Sequence, residues 1–377
     1  MFDYQSIESP CYVLEERLLI KNLELIKGVI DKADVDIILA LKGFSMYSTF
    51  GLVKQYLKGA TASSLNEARL IFEEMKCKAH VYSPAYLSSE FDELCKYSSH
   101  ITFNSINQFE KFKEKALLHN ISIGLRINPQ YAEVETQMYN PCIAGSRLGI
   151  TRNQLPDTLP KEIEGLHFHT LCENDSFTLE RTLNVVKENF GDLLKQVKWL
   201  NMGGGHLMTK AGYDVNHLVN LLKKFKEEFP NLKIILEPGS AIGWQTGFLI
   251  SEVQDIIDSQ GINVAILDVS FAAHMPDTLE MPYKPVVRGA FSETNPELPT
   301  YLLGGMTCLA GDFMTAYSFE KPLEIGQKVI FEDMIHYTMV KTTTFNGVGL
   351  PSIGIIGIDD YFRLHKKFGF EVFKEKL

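Results

Sequence analysis

Residues 37–42 read Ile-Ile-Leu-Ala-Leu-Lys, a short apolar run of the kind that forms a buried strand, closed by an amine. Seven further β-rich segments follow it: 60–64 (ATASS), 79–83 (AHVYS), 101–105 (ITFNS), 121–128 (ISIGLRIN), 164–169 (EGLHFH), 198–203 (KWLNMG) and 233–238 (KIILEP). Between them the apolar pattern switches to helical spacing. Ser64-Leu65-Asn66-Glu67 and Ser105-Ile106-Asn107-Gln108 read as capping boxes, and Phe109, Phe112 and Ala116 fall on one face of the helix after the second. Eight strands alternating with helices over roughly 220 residues predict a (β/α)8 TIM barrel. An open doubly wound sheet competes with it, but no GxGxxG opens the first helix.

Past about residue 245 the texture changes to β-rich runs with turns, such as 247–253 (GFLISEV) and 326–331 (GQKVIF). The opening run 10–14 (PCYVL) is also strand-like. The expected organisation is an α/β chain: a barrel over 21–245, inserted into a β-sandwich or β-barrel-like domain made from 1–20 and 246–377.

The 377 residues carry a net charge of −10. That argues against nucleic acid, whose phosphates need clustered Lys and Arg, and suits a cationic small substrate. No stretch is apolar for long enough to span a bilayer, and the six cysteines form no C-x-x-C pair. A cytoplasmic protein with free thiols, no structural metal and no membrane association is expected.

Barrel active sites lie at the C-terminal strand ends, so the polar residues there are the candidates. Lys42 would set its amine against apolar walls, which lowers an ammonium pKa and suits Schiff-base chemistry; alternatively it only snorkels to solvent. In Gly203-Gly204-Gly205 the backbone N–H groups can approach an anion, or the run is merely a tight turn. Glu237, before Pro238-Gly239, would be a buried carboxylate needing a partner, either a protonated pyridine nitrogen or an arginine. His169 could lie flat on an aromatic cofactor. His167 and His169 are expected to face opposite ways and so not to share a metal ion.

Taken with residues 9–14, 40–44, 165–169, 305–312 (GMTCLAGD), 333–338 (DMIHYT) and 345–347 (FNG), these motifs make the chain resemble the alanine-racemase-fold (fold type III) decarboxylases of ornithine and diaminopimelate, and within them the branch acting on carboxynorspermidine and carboxyspermidine. The resemblance covers nearly the whole length. It implies pyridoxal 5'-phosphate on Lys42, His169 stacked on its ring, Gly204 and Gly205 at its phosphate, and Glu237 at its pyridine nitrogen. It also implies a homodimer with shared active sites, in which Cys308 near the substrate Cα and Tyr337 at the phosphate come from the second subunit.

The sequence departs from its relatives in four places. Ser240 stands where ornithine decarboxylases carry a phosphate-binding arginine, and Thr170-Leu171-Cys172-Glu173 replaces a Gly- and Ser-rich loop. Leu309 replaces an acid that grips a distal amine, and 267–280 lacks the arginine expected for a diaminopimelate carboxylate. The implied substrate is a cationic carboxylated polyamine, with Asp277, Glu280 and Asp312 as acceptors for its ammonium groups beside Cys308. Decarboxylation of diaminopimelate or another basic amino acid is the alternative. A racemase would offer an arginine in place of Glu237, and a cofactor carrier would not need the Cys308 and Tyr337 segments.

Overall fold

The computed structural model describes residues 3–134 and 136–377. Its contacts fall into two compact units, residues 22–242 and residues up to 21 together with 243–377. The first strand, β1 (Cys11–Glu15), belongs to the second unit.

The first unit is the barrel. Its strands are β2 (Asp36–Ile37), β3 (Leu39–Ala40), β4 (Ala60–Ala62), β5 (Ala79–Tyr82), β6 (Ser98–Phe103), β7 (Ser122–Arg126), β8 (Ile163–His167), β9 (Trp199–Asn201) and β10 (Lys233–Leu236), all parallel. The sheet order runs β2-β10-β9-β8-β7-β6-β5-β4-β3. Because β2 and β3 are halves of one strand parted at Ile38, this order closes a ring of eight. Ile38 N–H donates to Leu236 O at 2.9 Å, while Leu39 N–H donates to Gly59 O at 3.0 Å, so the chain passes from one neighbour to the other at this residue. All eight segments read from the sequence are strands, two to six residues long.

Both helix starts form as expected, with one difference. Ser64 and Ser105 accept from the N–H groups of Glu67 and Gln108, each at 3.2 Å. The return bonds reach one residue further back than a capping box does: Glu67 accepts from Ser63 N–H at 2.6 Å and Gln108 from Asn104 N–H at 2.9 Å. On the helix Ile106–Leu118, Phe109, Phe112 and Ala116 are buried.

Inside the barrel one large side chain is matched by two missing ones. The Trp199 indole lies where a Cβ on Gly165 or Gly124 would sit, 2.0 and 2.2 Å from its nearest ring atoms. Its Nε1 donates to Ser122 Oγ at 2.9 Å, which satisfies the one polar atom of the ring.

The second unit is a mixed sheet. The long strand β11 (Gly247–Ser259) pairs antiparallel with β1, with β12 (Ile262–Leu267) and with β16 (Lys328–Glu332). The remaining strands are β13 (Ala290–Phe291), β14 (Thr300–Gly304), β15 (Phe313–Phe319), β17 (Ser352–Ile356) and β18 (Phe362–Lys366), in the order β13-β15-β14-β12-β11-β1-β17-β18. Strand β1 is therefore central, antiparallel to β11 and parallel to β17, and residues 11–14 are almost wholly buried. Cys11 and Val13 pack with Ile7, Phe248, Ile250, Ile330 and Ile356. Gly247 has to be glycine, since a Cβ there would meet Val13 O at 2.1 Å.

Candidate active site

Four sequence candidates gather at the C-terminal end of the barrel strands. The strand carrying Lys42 ends at Ala40, two residues earlier than expected, because the chain turns at once: Gly43 and Phe44 N–H both donate to Ala40 O, at 3.1 and 3.3 Å. Gly43 abuts the turn after β10, and a Cβ on it would meet Gly239 Cα and Ser240 N at 3.0 Å. Ala40 N–H donates to Pro238 O at 3.2 Å. Glycines at 43 and 239 thus allow the Lys42 turn and the Glu237-Pro238-Gly239 turn to touch.

Lys42 is exposed by area, yet many protein atoms surround its amine. The two are compatible in a concave mouth that water reaches. Burial, followed by the charge of Arg126, pushes the amine pKa below that of an ordinary lysine; Cys172, Glu237 and Glu67 oppose this.

Glu237 lies one residue beyond β10 and is buried. Its Oε1 accepts from Asn201 Nδ2 at 2.6 Å, and its Oε2 is 3.6 Å from His167 Nε2. The second separation is too long for a hydrogen bond, so His167 acts through its field. Burial raises the Glu237 pKa, but His167 and Asn201 together outweigh it and the carboxyl falls below the usual range. Burial likewise depresses His167.

His169 is held by the glycine run. Gly204 N–H donates to its Nδ1 at 2.8 Å, which makes Nδ1 an acceptor and places any single ring proton on Nε2. Burial, then the charges of Lys42 and Arg126, push the ring well below the usual histidine pKa, so it is neutral. The strand ends at His167, and His169 stands two residues past it. The expectation that the two histidines face apart is wrong: residues two apart on a strand share a face, and His167 adds to the lowering of the His169 pKa. Among the described residues no group of three or more His, Cys, Asp or Glu is arranged to hold a metal ion.

The run at 203–205 is packed against its neighbours. A Cβ on Gly204 would meet Glu237 O at 2.5 Å and one on Gly205 would meet Leu171 O at 2.2 Å. Gly204 N–H is already engaged by His169, so of the two expected phosphate contacts Gly205 is the better placed. Gly205 lines a cleft with Glu173, His206, Ser240 and Ala241, at the position where the arginine of ornithine decarboxylases is replaced.

Three participants were missed in the sequence. Arg126 ends β7, is buried, stacks 4.6 Å above the Tyr82 ring and donates to His169 O at 3.1 Å. Asn201 ends β9 and Glu67 begins a helix near Lys42. The strand-end criterion that singled out Lys42 applies equally to Arg126 and Asn201.

The other candidates belong to the sheet unit. Cys308 is an exposed free thiol whose N–H donates to Asn346 Oδ1 at 2.7 Å, which joins the 305–312 and 345–347 segments. Tyr337 adopts a left-handed backbone (φ 47°), and Lys341 Nζ stands 5.9 Å from its ring centroid. Lys341 also bonds Asp277 and Glu280, each at 2.5 Å, so a counter-ion is already present at both acids. Asp312 has partners within its own unit. It is buried and accepts from Ala272 N–H at 3.0 Å, Thr307 N–H at 3.1 Å and Thr307 Oγ1 at 2.5 Å, which makes it a brace for its own loop.

A barrel-mouth lysine, a buried acid and a histidine held by a glycine run, on a chain that adds a mixed sheet, define a class. Residues 11–335 match the family model for the pyridoxal-dependent decarboxylases with a C-terminal sheet domain, and the chain belongs to that family. It is 48% identical over 372 residues to carboxyaminopropylagmatine decarboxylase of Synechocystis sp., covering 99% of this chain and 96% of that one. It is 44% identical over 378 residues to the carboxynorspermidine/carboxyspermidine decarboxylase of Campylobacter jejuni, covering 98% of each. The crystal structure of carboxynorspermidine decarboxylase from Campylobacter jejuni, complexed with norspermidine, matches at a TM-score of 0.91 with 42% identity, covering 98% of this chain and 100% of that one. The barrel-plus-sheet architecture and the decarboxylase class both accord with the reading of the sequence.

Proposed function

We propose that this chain decarboxylates a carboxylated polyamine, carboxynorspermidine or carboxyspermidine, using pyridoxal 5'-phosphate held on Lys42, as a cytoplasmic homodimer. One observation carries the reading: Lys42, Glu237, His169 and the glycine run converge at one end of the barrel, and this donor set suits the cofactor's aldehyde, ring nitrogen, ring face and phosphate in turn. When bound, the cofactor supplies an electron sink conjugated to the substrate Cα.

Each residue then has a physical task. Lys42, with its pKa depressed, keeps more of its amine uncharged and nucleophilic at neutral pH. Glu237, ionised, would stand at the ring nitrogen of the bound cofactor and favour its protonated form. Neutral His169, its Nδ1 tied to Gly204, offers a flat ring face that does not rotate. Gly205 and the cleft at Ser240 take the phosphate. Cys308 and Tyr337 are supplied by the second copy of the dimer, Cys308 to return a proton to Cα. Asp277 and Glu280 accept the distal ammonium groups in exchange for Lys341.

The 48% identity to a carboxyaminopropylagmatine decarboxylase favours a second substrate, which ends in a guanidinium that Asp277 and Glu280 could equally accept. The deciding experiment measures CO2 release by the purified protein from carboxynorspermidine, carboxyspermidine, carboxyaminopropylagmatine, diaminopimelate and ornithine in parallel. The highest kcat/KM is expected for a carboxylated polyamine. A preference for diaminopimelate or ornithine would overturn the reading.

A further inference from the structure

The acid Glu237 has a neighbour whose orientation leaves no choice. Asn201, last residue of β9, donates from Nδ2 to Glu237 Oε1 at 2.6 Å and accepts at Oδ1 from Gly203 N–H at 2.9 Å. Asn201 is 3% exposed and Glu237 7%. A backbone N–H can only donate, so the amide oxygen must face Gly203 and the NH2 must face Glu237. An NH2 can only donate in turn, so Oε1 is the acceptor, and a donor held there favours the ionised carboxylate. The backbone repeats the link, with Glu237 N–H donating to Gly203 O at 2.7 Å.

We propose that Asn201 is a positioning residue: it holds Glu237 ionised and aimed, and keeps that acid in register with the glycine run, so that the ring-nitrogen and phosphate ends of the cofactor site are set by one side chain. This rests on the reading of Glu237 as the partner of the ring nitrogen. Leucine at 201 would leave Gly203 N–H and Glu237 Oε1 without their bonds. Aspartate could replace the amide only while it keeps a proton to donate; once ionised, it sets two carboxylates against each other.

The titratable groups that act with Glu237 are His167 on β8, His80 on β5, His100 on β6, His206 after the glycine run, and Lys42. Burial brings His80 to about 3 and His100 and His206 to about 4, and it also lowers His167. His80, His100 and His206 are therefore neutral at pH 6 and above, and His167 is common to every variant. Lys42 is common to every variant, so the wild type controls for it.

The test is the dissociation constant of pyridoxal 5'-phosphate, followed by protein fluorescence and visible absorbance at pH 6 and pH 9, for wild type, Asn201→Leu and Asn201→Asp, with melting of each apoprotein as a check on folding. Asn201→Leu should bind about tenfold or more weakly at both pH values. Asn201→Asp should bind weakly at pH 9 and recover toward wild type at pH 6. Wild-type affinity of Asn201→Asp at pH 9, an equal loss at both pH values, or wild-type affinity of Asn201→Leu would overturn the proposal. Glu237→Gln is run alongside: if it binds with unchanged affinity and spectrum, the ring-nitrogen reading fails and the proposal with it. If Glu237→Gln weakens binding while Asn201→Asp behaves as wild type at pH 9, only the role of Asn201 falls.

Discussion

Lys42 illustrates how little a residue's own identity says about its chemistry. The same amine on the surface would be charged at neutral pH; here burial and the Arg126 guanidinium lower its pKa. Lys42→Ala should abolish the visible absorbance of a lysine-bound cofactor and lower turnover by about a thousandfold or more, while the protein stays folded. Absorbance spectra and circular dichroism would check this, and an unchanged spectrum would remove Lys42 from its role. Buried histidines add a pH dependence. His80 titrates at about 3, and His100, His206 and His274 at about 4, each lowered chiefly by burial. Between those values and the ordinary value near 6.5 the unfolded chain binds more protons than the native one, so stability is complete above that value and is lost as pH falls through the folded values. Urea unfolding should show a loss on the order of several kcal/mol between pH 7 and pH 4.5, and a flat profile would contradict it.

Single elements are decided by shape as much as by pattern. In β8 the sequence offers only a glycine in a strand, but Gly165 is where the Trp199 indole lies. Gly165→Ala should cost about 2 kcal/mol or more, because the ring has to shift inside a closed barrel. By contrast, Gly191 in the helix Ser176–Leu194 has nothing within 4 Å of the point a Cβ would occupy, and Gly191→Ala should gain about 0.5–1 kcal/mol. Denaturation of the two variants side by side checks both signs. The early end of the strand before Lys42 has the same origin, since Gly43 must pass within contact of the turn after β10.

At the scale of the molecule the candidates divide between the two units: Lys42, His169 and Glu237 in one, Cys308, Tyr337, Asp277 and Glu280 in the other. If the second copy completes each site, Lys42→Ala and Cys308→Ala subunits should complement when mixed. Random reassortment would restore about a quarter of wild-type turnover in heterodimers that carry one intact site. Mixtures no more active than their parents would rule out sharing.

Eight short apolar runs, two helix starts and the motifs around Lys42, His169 and Glu237 could be read from the amino-acid order because each is local: strand burial, capping and turn chemistry act over a few residues. Asn201 and Arg126 stand at strand ends where the same criterion reaches them, but their partners and that of Asp312 could not be read, since these lie 36, 43 and 40 positions away and a hydrogen bond across that interval leaves no trace in spacing. Folding alone decided that Asn201 faces an acid, that Asp312 is already satisfied, and that the amine of Lys42 stands in a crowded mouth. Desolvation and pairing are properties of surroundings, and only the closed barrel assembles them.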